Sequence, residues 1–288
     1  MSATDDSKYL AKIETLQPAN FKSLFSILKE NNIVEVNMNI TPNGLEILDI
    51  DPTHIVIVHV MLHADNFDSF YCKQPIKIGI DAVNLTKILK GVGTKDMLTL
   101  FVEDTSDQSY ESGVSGMSDA GISVGLLIEN SSKGQSLKFY IETIDVNDHQ
   151  LEVPDLDYPY HIQLPSSDLQ SIVTNLKNMG GDVIKVLFHK DTLQFFTKGE
   201  IGVLEATRSK TNKEDSSIKI QKNSQDESGI IEIYIKLEKM VEFTKCSCLT
   251  PVVTMYLKND YPLFLEYDVG SLGFIRLGVA YHNKPDNY

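Results

Sequence analysis

The stretch "NNIVEVNMNITPNGLEILD" (Asn31–Asp49) has a counterpart in "GGDVIKVLFHKDTLQFFTK" (Gly180–Lys198). In both, apolar and polar residues nearly alternate on either side of a short polar turn. Period-two patterning broken by Gly, Pro, Asn or Asp predicts antiparallel strands. Each stretch follows a segment with helical spacing, "PANFKSLFSILKEN" (Pro18–Asn31) or "SSDLQSIVTNLKNMGG" (Ser166–Gly181). A second helical segment comes later in each half: "DAVNLTKILKGVG" (Asp81–Gly93), capped by Asp81, and "KLEKMVEFTKCS" (Lys236–Ser247). The order helix, strands, helix, strands thus runs once over residues 19–146 and again over 166–281. The predicted fold class is α+β: two similar domains, each with two helices on antiparallel sheets. They span 1–146 and 161–288. The acidic, proline-bearing "NDHQLEVPDLDYPY" (Asn147–Tyr160) is an extended connector between them. Two stretches rich in polar and small residues, 103–121 and 208–229, read as loops between strands.

The 288 residues leave room for two cores. No apolar run approaches the roughly 20 residues that span a bilayer, and the first ten residues carry no signal-peptide core. No membrane partner is expected. Three cysteines, Cys72, Cys246 and Cys248, suit a reducing compartment without a disulfide framework. The net charge of −14, from 26 basic and 40 acidic residues, argues against a nucleic-acid binder if charge is taken as a whole. It leaves open where the basic residues sit.

On the helices their placement is regular. Phe21, Leu24, Phe25 and Leu28 line one side of the first helix, with Lys22 and Lys29 on a more polar face. Leu85, Ile88, Leu89 and Val92 oppose Lys87 and Lys90 in the second. Leu169, Ile172, Val173 and Leu176 oppose Lys177 in the third. Leu237, Met240 and Val241 oppose Lys239 and Lys245 in the fourth. A lysine-bearing helix face is ordinarily a solvated one. The sharper reading is that all four faces line one surface able to hold a phosphate backbone without reading bases.

The stretch "LDIDPTHIVIVHVMLH" (Leu48–His63) concentrates two aspartates and three histidines and so raises the question of catalysis. His59 and His63 share a strand face, but His54 falls on the opposite parity, leaving no third metal ligand within reach. Short polar side chains at a strand start commonly bond neighbouring backbone groups, so Asp51 and His54 are read as structural. No catalytic residue, metal or cofactor is expected. The C-x-C of Cys246 and Cys248 lacks the four-ligand pattern of structural zinc. A hydrolase would need a nucleophile with a base, or a phosphate loop, and neither is present.

Several ordered segments now carry a resemblance. "LDIDPTHIVIVHVML", "FDSFYC" (Phe67–Cys72), "VNLTKILKGVGTKDMLTLFVED" (Val83–Asp104), "LEVPDLDYPYHIQLPSSDLQSIVTNL" (Leu151–Leu176) and "PLFLEYDVGSLGFIRLGVAY" (Pro262–Tyr281) together resemble the sliding clamps of the proliferating cell nuclear antigen family over nearly the whole chain. The resemblance implies three copies in a closed ring, with sheets outside and helices lining a hole that duplex DNA threads. A basic lining would then coexist with an acidic outer surface, and topology rather than affinity would retain the DNA.

The positions matching the family's lining are Lys22, Lys29, Lys87, Lys90 and Lys245, with Lys177 and Lys239 added from helical spacing. Ser171, Thr174 and Glu238 depart from the basic residues usual there. The family's partner groove, which takes a short peptide with a Gln, an aliphatic residue and two aromatics, maps to Ile50, His54, Ile55, Ile57, Leu151, Val153, Pro154, Tyr158, Pro262, Val279 and Ala280. Gly278 and Tyr281 replace the family's usual aromatic and proline. Ring closure would pair "ISVGLLIEN" (Ile122–Asn130), as an edge strand, with "GVLEATR" (Gly202–Arg208) of the next subunit, using Leu127, Val203 and Leu204. Lys190 stands where the family carries a lysine that receives ubiquitin-type modifiers.

The implied role is a non-enzymatic processivity factor in replication and repair. Its implied partners are double-stranded DNA, polymerase, clamp loader, nuclease, ligase and further copies of itself. It would act in the nucleus, or at a viral replication site if the member is viral. The alternative is a subunit of a heteromeric checkpoint-type clamp, or a viral factor that closes no homotrimer.

Overall fold

A computed structural model describes residues 8–104, 122–145, 151–152, 157–210, 218–222 and 229–284. Most of both long loops, most of the connector, and Val153 and Pro154 of the expected groove lie outside the described residues. The first half of the chain runs β1 (Tyr9–Thr15), α1 (Pro18–Glu30), β2 (Glu35–Thr41), β3 (Gly44–Ile50), β4 (Val56–His63) and β5 (Ser69–Cys72). It continues with β6 (Ile76–Asp81), α2 (Ala82–Leu89), β7 (Met97–Asp104), β8 (Ile122–Asn130), β9 (Gln135–Ile141) and β10 (Thr143–Ile144). The second half runs β11 (Tyr160–Pro165), α3 (Ser166–Asn178), β12 (Val183–His189), β13 (Thr192–Lys198), β14 (Val203–Ser209) and β15 (Lys219–Lys222). It ends with β16 (Ile231–Lys236), α4 (Leu237–Thr244), β17 (Val252–Leu257), β18 (Leu263–Asp268) and β19 (Gly273–Val279).

The chain forms two compact units. The first comprises 1–49, 59–151 and 269–274; the second comprises 50–58, 152–268 and 275–288. Each half of the chain therefore lends a short segment to the other unit. In the first unit one sheet has the order β5-β1-β7-β8-β9, and the strands β10-β6-β2-β3-β4 are neighbours in another. In the second unit the corresponding orders are β14-β13-β12-β16 and β19-β18-β17-β11-β15. Among the described residues these strands pair antiparallel, as the alternation predicts; β2 and β3 register Met38 opposite Ile47, and β12 and β13 register Val186 opposite Phe195.

Helical periodicity sets which residues are buried. In α1 Phe21, Leu24, Phe25 and Leu28 are buried, as expected, and a proline occupies the first turn, where its missing N–H costs nothing. Asp81 caps α2 by accepting from the Asn84 N–H at 2.9 Å. Leu169, Ile172, Val173 and Leu176 of α3 are buried. In α4 the buried face is Leu237, Met240, Phe243 and Thr244, and it also takes in Lys239. Removing a fully buried ring such as Phe25 or Phe195 would cost about 3–5 kcal/mol, the transfer cost plus that of the cavity left behind.

One expectation about the sheets is overturned. β8 is an interior strand, paired with β7 on one side and β9 on the other, so "ISVGLLIEN" presents no free edge. Leu127 is only half-buried, but its backbone is already committed on both sides. The edge belongs to β9, where Leu137 and Tyr140 are exposed. β14 does lie at the edge of its sheet, with Val203 exposed and Leu204 half-buried. Among the described residues no helix is long and apolar enough to cross a membrane.

Candidate DNA-facing helices and partner groove

The turn between β3 and β4 is built around one carboxylate. Asp51 Oδ1 accepts from the N–H groups of Ile55 at 2.9 Å and Val56 at 2.8 Å, while Thr53 Oγ1 donates to Oδ2 at 2.6 Å. The backbone closes the same turn: the Asp51 N–H donates to the Val56 carbonyl and the His54 N–H to the Asp51 carbonyl. His54 takes a left-handed φ of 56°, which a non-glycine residue holds only when its surroundings impose it. With both carboxylate oxygens engaged and Asp51 1% exposed, this side chain is structural. His59 Nε2 lies 3.1 Å from Glu46 Oε1, and His59 and His63 both lie beside the Phe274 ring. Among the described residues no three His, Cys, Asp or Glu side chains are grouped to hold a metal ion.

Of the expected groove residues, His54 and Ala280 are exposed, and Ile50, Ile55, Ile57 and Pro262 are half-buried. All six belong to the second unit. The Ala280 N–H donates to the Ile55 carbonyl at 2.9 Å, tying the end of β19 to the turn. Ile57 packs on a cluster of Tyr158, Tyr256 and Phe264.

Two expected wall residues are corrected. Tyr158, 2% exposed, and Val279, fully buried, line no surface. Tyr158 is surrounded by the rings of Tyr256, Tyr261 and Phe264, and its hydroxyl donates to the Pro262 carbonyl at 2.7 Å. Burial, reinforced by Tyr261, pushes that hydroxyl up to about 12, so it remains a donor at neutral pH. Tyr158 belongs to the buried cluster on which Ile57 packs. Leu151 lines a cavity of about 150 Å³ in the first unit, together with Asn37, Glu46 and Lys77.

Gly278, where the resemblance implies an aromatic, has no room for a side chain. A Cβ there would sit 2.4 Å from Phe264 Cε1 and 2.6 Å from Ile57 Cγ2. The Phe264 ring and Ile57 close over the glycine, so the buried aromatic ring at this point comes from β18 instead of β19. Sequence reading missed Phe264, Tyr256 and the exposed Tyr261, whose ring centroid lies 3.9 Å from Lys258 Nζ. "NDYPLF" reads as turn and strand, and its spacing does not show which ring lies under which strand.

On the helices, Lys29, Lys87, Lys90, Lys177 and Lys245 are exposed and Lys22 is half-buried. Lys22 Nζ donates to the Lys90 carbonyl at 3.0 Å, placing a cation at the C-terminal end of α2, where the helix dipole favours it. In the second unit Lys177 and Lys245 open onto one cleft of about 560 Å³ together with Glu238, Glu242 and His282. Lys236, which sequence reading left uncounted, lines the same cleft.

Lys239 is the clear correction. It is 7% exposed, with Nζ 3.1 Å from Glu242 Oε2 and 3.6 Å from Asp51 Oδ2, and cannot present its charge outward. The reason lies in the apolar arc of α4. Phe243, four residues beyond Lys239, lies on the same face and is fully buried, so Lys239 turns inward with it. Lys190 is exposed in the hairpin between β12 and β13, where it and Asp191 both take positive φ, 48° and 61°.

Comparison with known proteins matches the chain to a family. The pattern described as "Proliferating cell nuclear antigen, N-terminal domain" matches residues 11–111, and the corresponding C-terminal domain matches 152–282. The proliferating cell nuclear antigen of Chaetomium thermophilum is 27% identical over 251 residues, covering 86% of this chain and 89% of the relative. That of Dictyostelium discoideum is 26% identical over 267 residues, covering 92% and 96%. One matched domain falls in each half of the chain, and the chain belongs to the proliferating cell nuclear antigen family, the non-enzymatic DNA sliding clamps that serve as processivity factors in replication.

Proposed function

We propose that three copies of the chain close into a ring around duplex DNA, with domains 1–146 and 161–288 of each copy joined by the connector 147–160. The observation that carries this reading is the set of outward lysines on the helices of both units, in a chain whose net charge is −14. Exposed lysines on the helices of an otherwise acidic protein suit weak, non-specific contact with phosphates. The lining of the second unit is the weaker one. Its cleft mixes Lys177, Lys236 and Lys245 with Glu238 and Glu242, Lys239 is withdrawn, and Ser171 and Thr174 are neutral.

Ring closure would join the exposed edge of β9 to that of β14 in the next copy, a heterologous contact that closes when the rotation fits. Leu137 and Tyr140 on one edge, and Ile201 and Val203 on the other, are exposed apolar groups suited to burial there. Polymerase, clamp loader, nuclease and ligase would dock short peptides on the groove formed by Ile50, His54, Ile55, Ile57, Pro262 and Ala280. Lys190, at an exposed hairpin tip, would accept ubiquitin-type modifiers. The relatives' name describes them as nuclear antigens, and the nucleus is the proposed site of action here.

The test is mass by light scattering at micromolar concentration, followed by retention on nicked circular DNA. Three chains of 32.2 kDa give about 97 kDa. A ring loaded on the circle is released when the circle is cut to a linear duplex. A monomer that stays on cut DNA as well as on the circle would overturn the reading.

A further inference from the structure

We propose that Lys239 is a positioning residue for the partner groove: its buried ammonium neutralises the Asp51 carboxylate and so holds the turn that presents Ile55 and Ile57 to a docked peptide. The inference rests on the groove reading above and assigns to it a residue of helix α4.

The turn has one organising group. Three hydrogen bonds converge on the Asp51 carboxylate, and His54 is held in a left-handed conformation between them. The same turn supplies the Ile55 carbonyl to Ala280 and leads directly into Ile57. A carboxylate that is 1% exposed needs a countercharge, because hydrogen bonds replace its water but do not cancel its charge. Lys239 Nζ, 3.6 Å away, supplies it. Glu242, one turn further along α4, holds the ammonium from the other side at 3.1 Å. Lys239 therefore has a fixed place, and its loss would leave an uncompensated anion at the root of the groove wall. The wall responds because its backbone, not merely its side chains, is bonded to that anion.

The experiment uses the full chain and a fluorescent synthetic peptide carrying a Gln, an aliphatic residue and two adjacent aromatics. Lys239→Met keeps the length and apolar stem without the charge, and Lys239→Arg keeps the charge. Amide hydrogen exchange is followed at Ile55 and Val56, whose N–H groups bond to Asp51, and at β12 and β13 of the same unit as an internal reference. The expected result is peptide affinity about tenfold or more weaker in K239M, with recovery to within about threefold in K239R. Exchange should accelerate at Ile55 and Val56 while β12 and β13 keep wild-type protection.

Wild-type peptide affinity in K239M, with the wild-type chain binding normally, would overturn the proposal alone. Exchange accelerated equally in β12 and β13 would overturn it too, because Lys239 would then only stabilise the unit as a whole. A wild-type chain that does not bind the peptide would overturn the groove reading, and the proposal with it.

Discussion

Burial alone would push the Asp51 carboxyl up, yet the Thr53 hydroxyl, the Val56 and Ile55 N–H groups and the Lys239 charge together hold it below the ordinary carboxylate range. A carboxyl held low in the folded chain stabilises the fold above its unfolded value and loses that contribution as pH falls through the lowered one. Asp51→Asn is therefore expected to cost about 3 kcal/mol at neutral pH, since it strands part of a buried charge pair. The gap from wild type should begin to narrow as the pH falls past the ordinary aspartate value of about 3.9, where the unfolded chain takes up the proton, and should close as the pH passes the lowered folded value, where the native carboxylate takes it up. Urea unfolding of both proteins at neutral and acid pH reads this directly, and a gap that stays constant with pH would show that the charge is irrelevant. The aspartate that first suggests chemistry is thus occupied in holding a turn. Its residue type and its place at a strand start were legible in the sequence, but its countercharge was not.

At the scale of elements, the helices were the most legible part of the chain. A helix repeats every 3.6 residues, so four apolar residues in register state which face is buried without reference to the rest of the protein. Lys22, Lys87 and Lys245 were placed by that rule, and they are half-buried or exposed as it requires. Combining K22A, K87A and K245A should leave the unfolding midpoint nearly unchanged, apart from the small loss where Lys22 meets the end of α2. It should reduce DNA association and flatten its dependence on salt, by a log–log slope of about 0.9 for each phosphate contact removed. Stimulation of a polymerase at moderate salt provides the functional readout, and undiminished stimulation would count against these helices as the DNA-facing surface. Lys239 marks the limit of the same rule: a lysine reads as outward, but this one shares the face of the buried Phe243, and the carboxylates of Asp51 and Glu242 receive its charge there.

For the whole molecule, the matter of interest is which sheet edges are left for another copy. An edge strand exposes unpaired backbone groups and is costly to leave open unless it is guarded or covered. β9 carries exposed Leu137 and Tyr140 at such an edge. Charging it with L137D and Y140D together should convert a species of about 97 kDa to one near 32.2 kDa, with the secondary structure retained. The same changes on an unused edge would leave the mass as it is. Equivalent substitution of Leu127 is expected to act on folding instead, because β8 lies between β7 and β9.

Two halves of similar order, the antiparallel strands, the four helices, and the buried faces of α1 and α3 follow from the sequence by itself. Each depends on a local period of two or of 3.6 residues that any short window displays. The family resemblance came from ordered segments in both halves and agrees with the matched domains. What only the tertiary structure decided is how strands distant in the chain lie beside one another. That placed β8 inside its sheet and β9 at the edge, buried Tyr158 and Val279, and set Phe264 over Gly278. It also turned Lys239 inward to Asp51. The physical reason is the same in each case: which strand lies beside which, and which side chains then meet, is set by pairing between distant segments, and a local period does not carry it.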